Sequence, residues 1–186
     1  MSPSQPLFFV ALLPPKAIQE QVTAIKQDFA TRYDSRHALK SPPHVTLQPP
    51  FKWLADDLAT LENALSQFAA TRQPVPVTLS GFGAFPPRVI YVNVLKTPEL
   101  LDIHKQLTAH FEDTLNLVDE RSKKRAFSPH MTVAFKDLTG QNFRAAWPEF
   151  RERAIAFEFE AKTLTLLRHD GRRWEIHRDF SLAKGD

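Results

Sequence analysis

One short pattern is written twice. Pro43-His44-Val45-Thr46-Leu47 and Pro129-His130-Met131-Thr132-Val133 both run proline, histidine, apolar, threonine, apolar. The copies stand 86 positions apart, close to half of this 186-residue chain. On a strand, residues i and i+2 point to one face, about 6.6 Å apart. His44 and Thr46 therefore project together while Val45 and Leu47 face a core, and His130 and Thr132 repeat the arrangement. Two such strands constrain the chain to two degenerate halves, each running strand, helix, strand-turn-strand. Packed about a pseudo-twofold, they bring four polar side chains to one point.

The flanking sequence supplies the elements. Leu7 to Leu13 is an apolar run ended by Pro14-Pro15 and reads as a buried strand. Ile18, Val22, Ile25 and Phe29 set the apolar stripe of a helix from Lys16 to Tyr33. His44 to Leu47 is a short strand ended by Pro49-Pro50, and a helix over Ala55 to Thr71 follows. Val75 to Ser80 alternates as a strand, Gly81 to Pro87 reads as a turn, and Val89 to Leu95 returns. Thr97-Pro98-Glu99 opens a helix that runs to Leu117. Val118 to Ser128 reads as a polar loop, His130 to Phe135 as a strand, and Gln141 to Arg153 as a helix containing Pro148. Phe157 to Leu167 and Arg173 to Leu182 form a hairpin whose Asp170-Gly171 predicts a type I′ turn. This alternation, with hairpins in the middle and at the end, implies an α+β fold of antiparallel or mixed sheet with flanking helices.

Phosphodiester displacement needs one group to deprotonate the attacking oxygen and another to protonate the leaving oxygen, roughly in line. Histidine suits both tasks because its ordinary pKa lies near 6.5. The hydroxyls of Thr46 and Thr132 can donate to non-bridging phosphate oxygens. A single Pro-His-x-Thr is more often an ordinary polar face beside a core strand; the matched pair points to catalysis. Neither His-x-His nor His-Glu-x-x-His occurs, and Ser80-Gly81-Phe82-Gly83 is not a nucleophile elbow, which disfavours a metal centre and a serine hydrolase. Tyr91, alternating against Ile90 and Val92, and Phe51, just past the first motif, are candidates to stack on a base, each equally able to serve as plain packing. The cluster from Arg121 to Arg125 reads first as a solvated loop and second as a phosphate contact. His104 reads as a core histidine, and His37, His110, His169 and His177 as surface.

Composition narrows the classes. The absence of cysteine removes disulfides, thiol catalysis and thiolate metal sites. A net charge of +3 permits an anionic ligand without demanding a polyanion. The longest apolar run, Leu7 to Leu13, is far short of the roughly 20 residues of a membrane span and carries no signal-peptide pattern. The expectation is a soluble cytoplasmic protein, a monomer by default, with no cofactor, no metal and no membrane partner.

At His44-Val45-Thr46-Leu47 and His130-Met131-Thr132-Val133 the chain resembles the 2H phosphoesterase superfamily, the LigT-like or 2′-5′ RNA ligase family, over essentially its whole length. The resemblance implies one bilobal domain over residues 1–186, two pseudo-twofold-related lobes of antiparallel or mixed sheet with flanking helices around a central groove, and metal-independent opening of 2′,3′-cyclic or related cyclic phosphates on RNA ends or small nucleotides. It also admits 2′-5′ ligation or cleavage, or a nucleotide-binding module without turnover. By position, His44 and His130 would be the acid–base pair, with Thr46 and Thr132 the phosphate clamp. Lys136 stands where many members place an arginine, and Gln48-Pro49-Pro50-Phe51 differs from the commoner RNA-ligase pattern.

Overall fold

The computed structural model describes residues 2–183. β1 (Leu7–Leu12) leads through α1 (Lys16–Tyr33) and a 3-10 turn at His37–Lys40 to β2 (Val45–Lys52). α2 (Leu58–Ala70) and β3 (Val75–Phe85) follow. Then come β4 (Val89–Val94), α3 (Pro98–Leu115), α4 (Glu120–Lys124), β5 (His130–Ala134) and α5 (Gly140–Glu152). β6 (Ala156–Ala161), β7 (Thr163–His169) and β8 (Trp174–Ser181) end the series. The strands build two antiparallel four-stranded sheets, β2-β1-β7-β8 and β5-β4-β3-β6, with helices flanking them.

The internal repeat is visible in the backbone. β4 and α3 begin and end 82 positions after β1 and α1. Both helices stop at a left-handed residue, Asp34 and Asn116, each at φ 51°. The next N–H, of Ser35 or Leu117, then returns to the carbonyl of Phe29 or Phe111. Asp and Asn tolerate this conformation better than other non-glycine residues, so the same stop signal is spelled twice.

The lobes, however, are not the halves of the sequence. β3 leaves the first half to pair with β4 and β6, and β7 leaves the second to pair with β1. The segment Phe157 to Leu167, expected as one strand, breaks at Lys162, where the chain passes from one sheet to the other. Helices cross as well: α1 packs on β5 and α3 on β2, while α2 covers β7 and β8. One continuous apolar core results, including Phe29 stacked on Phe150 at 4.4 Å and Phe51 edge-on to Phe111 at 5.9 Å.

Prolines and glycines account for most differences from expectation. β2 continues through Pro49-Pro50 because it is an edge strand, where a missing N–H costs no ladder bond. The register shift between its pairings of Phe8 and Val10 absorbs the irregularity. β3 continues through Gly81 to Phe85, and the turn shrinks to Pro86–Arg88. Gly81, at φ 70°, takes the extra residue as a bulge between Leu79 and Phe82. α4 forms inside the expected loop because Asp119 caps it, accepting from the Arg121 N–H at 3.1 Å. In the last hairpin only Gly171 has a positive φ, 103°, whereas a type I′ turn needs two such residues. The Asp170 carboxylate holds that turn by accepting from the N–H groups of Arg172 and Arg173 at 2.7 and 2.8 Å.

Candidate functional site

β2 and β5 are the edges of their sheets and lie against each other. Along them burial alternates: Val45, Leu47, Met131 and Val133 are buried, and His44, Thr46, His130 and Thr132 are partly open. All four polar side chains line one cavity of about 350 Å³.

The two imidazoles are held identically. His44 Nδ1 lies 2.7 Å from the Pro42 carbonyl oxygen, and His130 Nδ1 lies 2.8 Å from that of Ser128. A carbonyl only accepts, so Nδ1 carries the proton in both rings and donates it to the backbone. Nε2 of each ring has no protein partner among the described residues and is the nitrogen left for chemistry. Burial drives His44 down to about 4, against the raising effect of its backbone bond, with Lys26 and His130 adding to the depression. Burial also lowers His130 below its ordinary value. Both rings are therefore neutral near pH 7 before a ligand arrives.

Aromatic rings buttress each histidine in the same way. Phe9, on β1, sits 4.8 Å from the His44 ring; Tyr91, 82 positions later on β4, sits 5.2 Å from the His130 ring. Phe9 also meets Trp174 edge-on at 4.6 Å, and Phe85 meets His130 edge-on at 5.1 Å. Phe9, Trp174, Phe85 and Phe135 all line the cavity. Tyr91 does not; it stands behind His130, against Phe85 and over Gly83, where an added Cβ would fall 2.4 Å from its ring. Phe51 is turned away into the core against Phe8 and Phe111, because β2 remains a strand past its prolines and the alternation carries residue 51 inward.

Lys136 does reach the cavity. It has φ 60°, and the Asp137 N–H bonds the Phe135 carbonyl at 2.7 Å, closing the strained form of a three-residue turn. The Asp137 carboxylate then accepts from the Ser35 hydroxyl at 2.8 Å and from the N–H groups of Arg36 and His37 at 2.8 and 2.9 Å. That latch presents His37 and Lys40 to the cavity, so His37 is not the plain surface residue expected. Behind them Lys26, 2% exposed, donates to the carbonyls of Ala38 at 2.9 Å and Ser41 at 2.8 Å. No short motif contains Asp137 or Lys26; the only sequence signal was a charged residue on the apolar stripe of α1.

The remaining histidines have separate tasks. His104 stacks face to face on Phe127 at 3.7 Å, His110 Nε2 meets the Ala64 carbonyl at 2.8 Å, and His177 pairs with Glu62 at 2.7 Å. Among the described residues no group of three histidines and carboxylates is disposed to hold a metal, and no helix is long and apolar enough to cross a membrane.

The chain is similar to known proteins in sequence and in fold. Residues 14–173 match the 2′-5′ RNA ligase superfamily. A Bacillus cytotoxicus protein, named as a candidate phosphoesterase, is 31% identical over 179 residues, covering 95% of this chain and 96% of that one. Among solved structures, TT0787 of Thermus thermophilus superposes with a TM-score of 0.69 at 18% identity, covering 97% of this chain and all of the other. Escherichia coli LigT, crystallised with 3′-AMP, gives 0.67 at 18% identity over 96% of this chain and 99% of its own. At that identity the likeness concerns the fold.

Proposed function

The chain belongs to the 2′-5′ RNA ligase superfamily, and from that premise we propose that it is a phosphodiesterase opening 2′,3′-cyclic or related cyclic phosphates of RNA ends or small nucleotides. The observation that carries the proposal is the matched pair of Nδ1-to-carbonyl bonds, which leaves two Nε2 atoms and two threonine hydroxyls on one cavity.

Thr46 and Thr132 donate to the non-bridging oxygens and hold the phosphate between the rings. His44 is the base: the more strongly depressed imidazole is the one kept neutral, and its Nε2 takes the proton of an attacking water. The new P–O bond forms as the bond to one ring oxygen of the cyclic phosphate breaks. His130, protonated once the anionic ligand is beside it, gives its Nε2 proton to that leaving oxygen. The product is a phosphomonoester, and the two histidines exchange protons with solvent to reset. Lys136 and Lys40 add positive charge at the cavity rim, and Phe9, Trp174 and Phe85 offer faces to a base. Ligation to a 2′-5′ linkage uses the same groups in the same roles, with a ribose 5′-hydroxyl in place of water as the attacking oxygen; re-closing the ring reverses it.

Incubating the purified protein with 2′,3′-cyclic nucleotides in EDTA tests the proposal. His44→Ala and His130→Ala are each expected to lower turnover at least ~10²-fold. Wild-type rates in either variant would sink the assignment.

A further inference from the structure

The catalytic groups border a second cavity. It holds about 380 Å³ and shares Thr46 and His130 with the first, but extends under α4, where the first does not reach. Its walls differ in chemistry. The first cavity is walled by aromatic rings with Lys40 and Lys136 at its rim, whereas the second is lined by Arg121 and Arg125 together with the flat His104–Phe127 stack.

These cations are available. Arg121 and Arg125 are exposed, and among the described residues neither has a carboxylate within ion-pair distance. Lys123, between them, is taken by Glu112 at 3.0 Å. The acid nearest in the cavity, Asp119, is occupied by the Arg121 N–H and the Ser122 hydroxyl. The repeat gives this cavity a counterpart. Each motif histidine is preceded by a short helical turn, His37–Lys40 before His44 and α4 before His130, and each turn roofs one cavity.

A ribose whose 2′,3′ phosphate is clamped by Thr46 and Thr132 carries its base at one end of the sugar ring and its 5′ oxygen at the other, so one ligand can send a substituent into each cavity. The α4 side adds two arginines free of carboxylate partners among the described residues. We propose that the α4 cavity is a second anion subsite, in which Arg121 and Arg125 hold a further phosphate of the same ligand. The substrate is then a nucleotide carrying a phosphate beyond the reacting one, as the last residue of a polynucleotide does. The assignment of the reacting phosphate rests on the function proposed above; the charge in the α4 cavity does not.

Calorimetry with 3′-AMP and adenosine 3′,5′-bisphosphate reads the subsite without turnover. The wild-type protein is expected to bind the bisphosphate at least ~10-fold more tightly, with a steeper salt dependence. Arg121→Ala/Arg125→Ala, at exposed positions that leave the core intact, is expected to bring the affinity ratio close to one. Lys96→Ala/Lys162→Ala removes the same charge elsewhere and should preserve the ratio. A wild-type ratio near one, or a ratio that survives loss of both arginines, overturns the subsite. Preferential bisphosphate binding by a protein that opens no cyclic phosphate would support the subsite and refute the catalytic assignment alone. Turnover with a flat ratio would do the reverse.

Discussion

Replacing Lys26 with methionine keeps the unbranched side chain to within one atom of its length and removes its charge. In the wild-type protein burial lowers the Lys26 pKa from 10.5 to about 7. Between those two values the unfolded chain binds a proton that the folded chain does not, so stability rises with pH across the window. Below pH 7 the cost of burying the charge is present in full; above 10.5 it is gone. With each pKa unit equivalent to 1.36 kcal/mol, the gain is close to 5 kcal/mol over the whole window and about 2 kcal/mol between pH 7 and 9. Lys26→Met carries no such term. It leaves the carbonyls of Ala38 and Ser41 without their donor, at about 1–3 kcal/mol each, independent of pH. Urea unfolding of both proteins at several pH values isolates the effect as a difference of differences. The wild type should gain about 2 kcal/mol on the variant from pH 7 to 9, near 1 M in midpoint for a urea slope of about 2 kcal/mol/M. A difference that stays flat over this range would refute the reasoning and place the ammonium in contact with water.

Three further outcomes are expected. For kcat/KM with a cyclic nucleotide, the acid limb should fall near pH 4 as the His44 base protonates, and the alkaline limb should lie below 6.5 as His130 loses its proton; a rate flat from pH 4 to 8 contradicts both roles. Gly83→Ala places a methyl inside the Tyr91 ring and should cost about 1–3 kcal/mol by thermal unfolding, most of it recovered in Gly83→Ala/Tyr91→Ala; failure of the second change to rescue would exclude the clash as the cause. Asp137→Asn weakens a carboxylate that accepts three hydrogen bonds at an exposed position and should cost about 1–2 kcal/mol, with KM rising more than kcat falls; an unchanged KM would show that the Ser35–His37 loop does not shape the cavity.

The motif residues were legible because a period of two needs only local sequence. Val45 and Leu47 inward and His44 and Thr46 outward follow from pleating alone, and the repetition pointed to the facing partner. The same logic misplaced Phe51, since Pro49-Pro50 was read as an end when it lies on an edge strand that tolerates it. Phe9 and Trp174 were hidden because an apolar residue on a groove wall and one in a core look alike in sequence. Their placement depends on a pairing across more than 150 residues, β1 with β7, that no local pattern encodes. Asp137 and Lys26 were hidden for a related reason, as their partners are distant loop backbone. The expected halves mirrored the true repeat in β1-α1 and β4-α3 but missed that β3 joins the sheet of the second half and β7 and β8 that of the first, the latter crossing at the single residue Lys162.

That exchange has a mechanical consequence. A protein whose lobes were separate pieces of chain could open like a jaw about one linker. Here each sheet contains a strand drawn from the other half of the sequence, and α1 and α3 brace the opposite motif strand. Prising the groove apart would mean straining two chain crossings, between β2 and β3 and at Lys162, together with the helix packing across the lobes, not bending one tether. The distance between the two imidazoles is thus a property of the weave. Of the elements around the groove, the two short helical roofs, at His37–Lys40 and α4, lie outside both sheets and outside this weave.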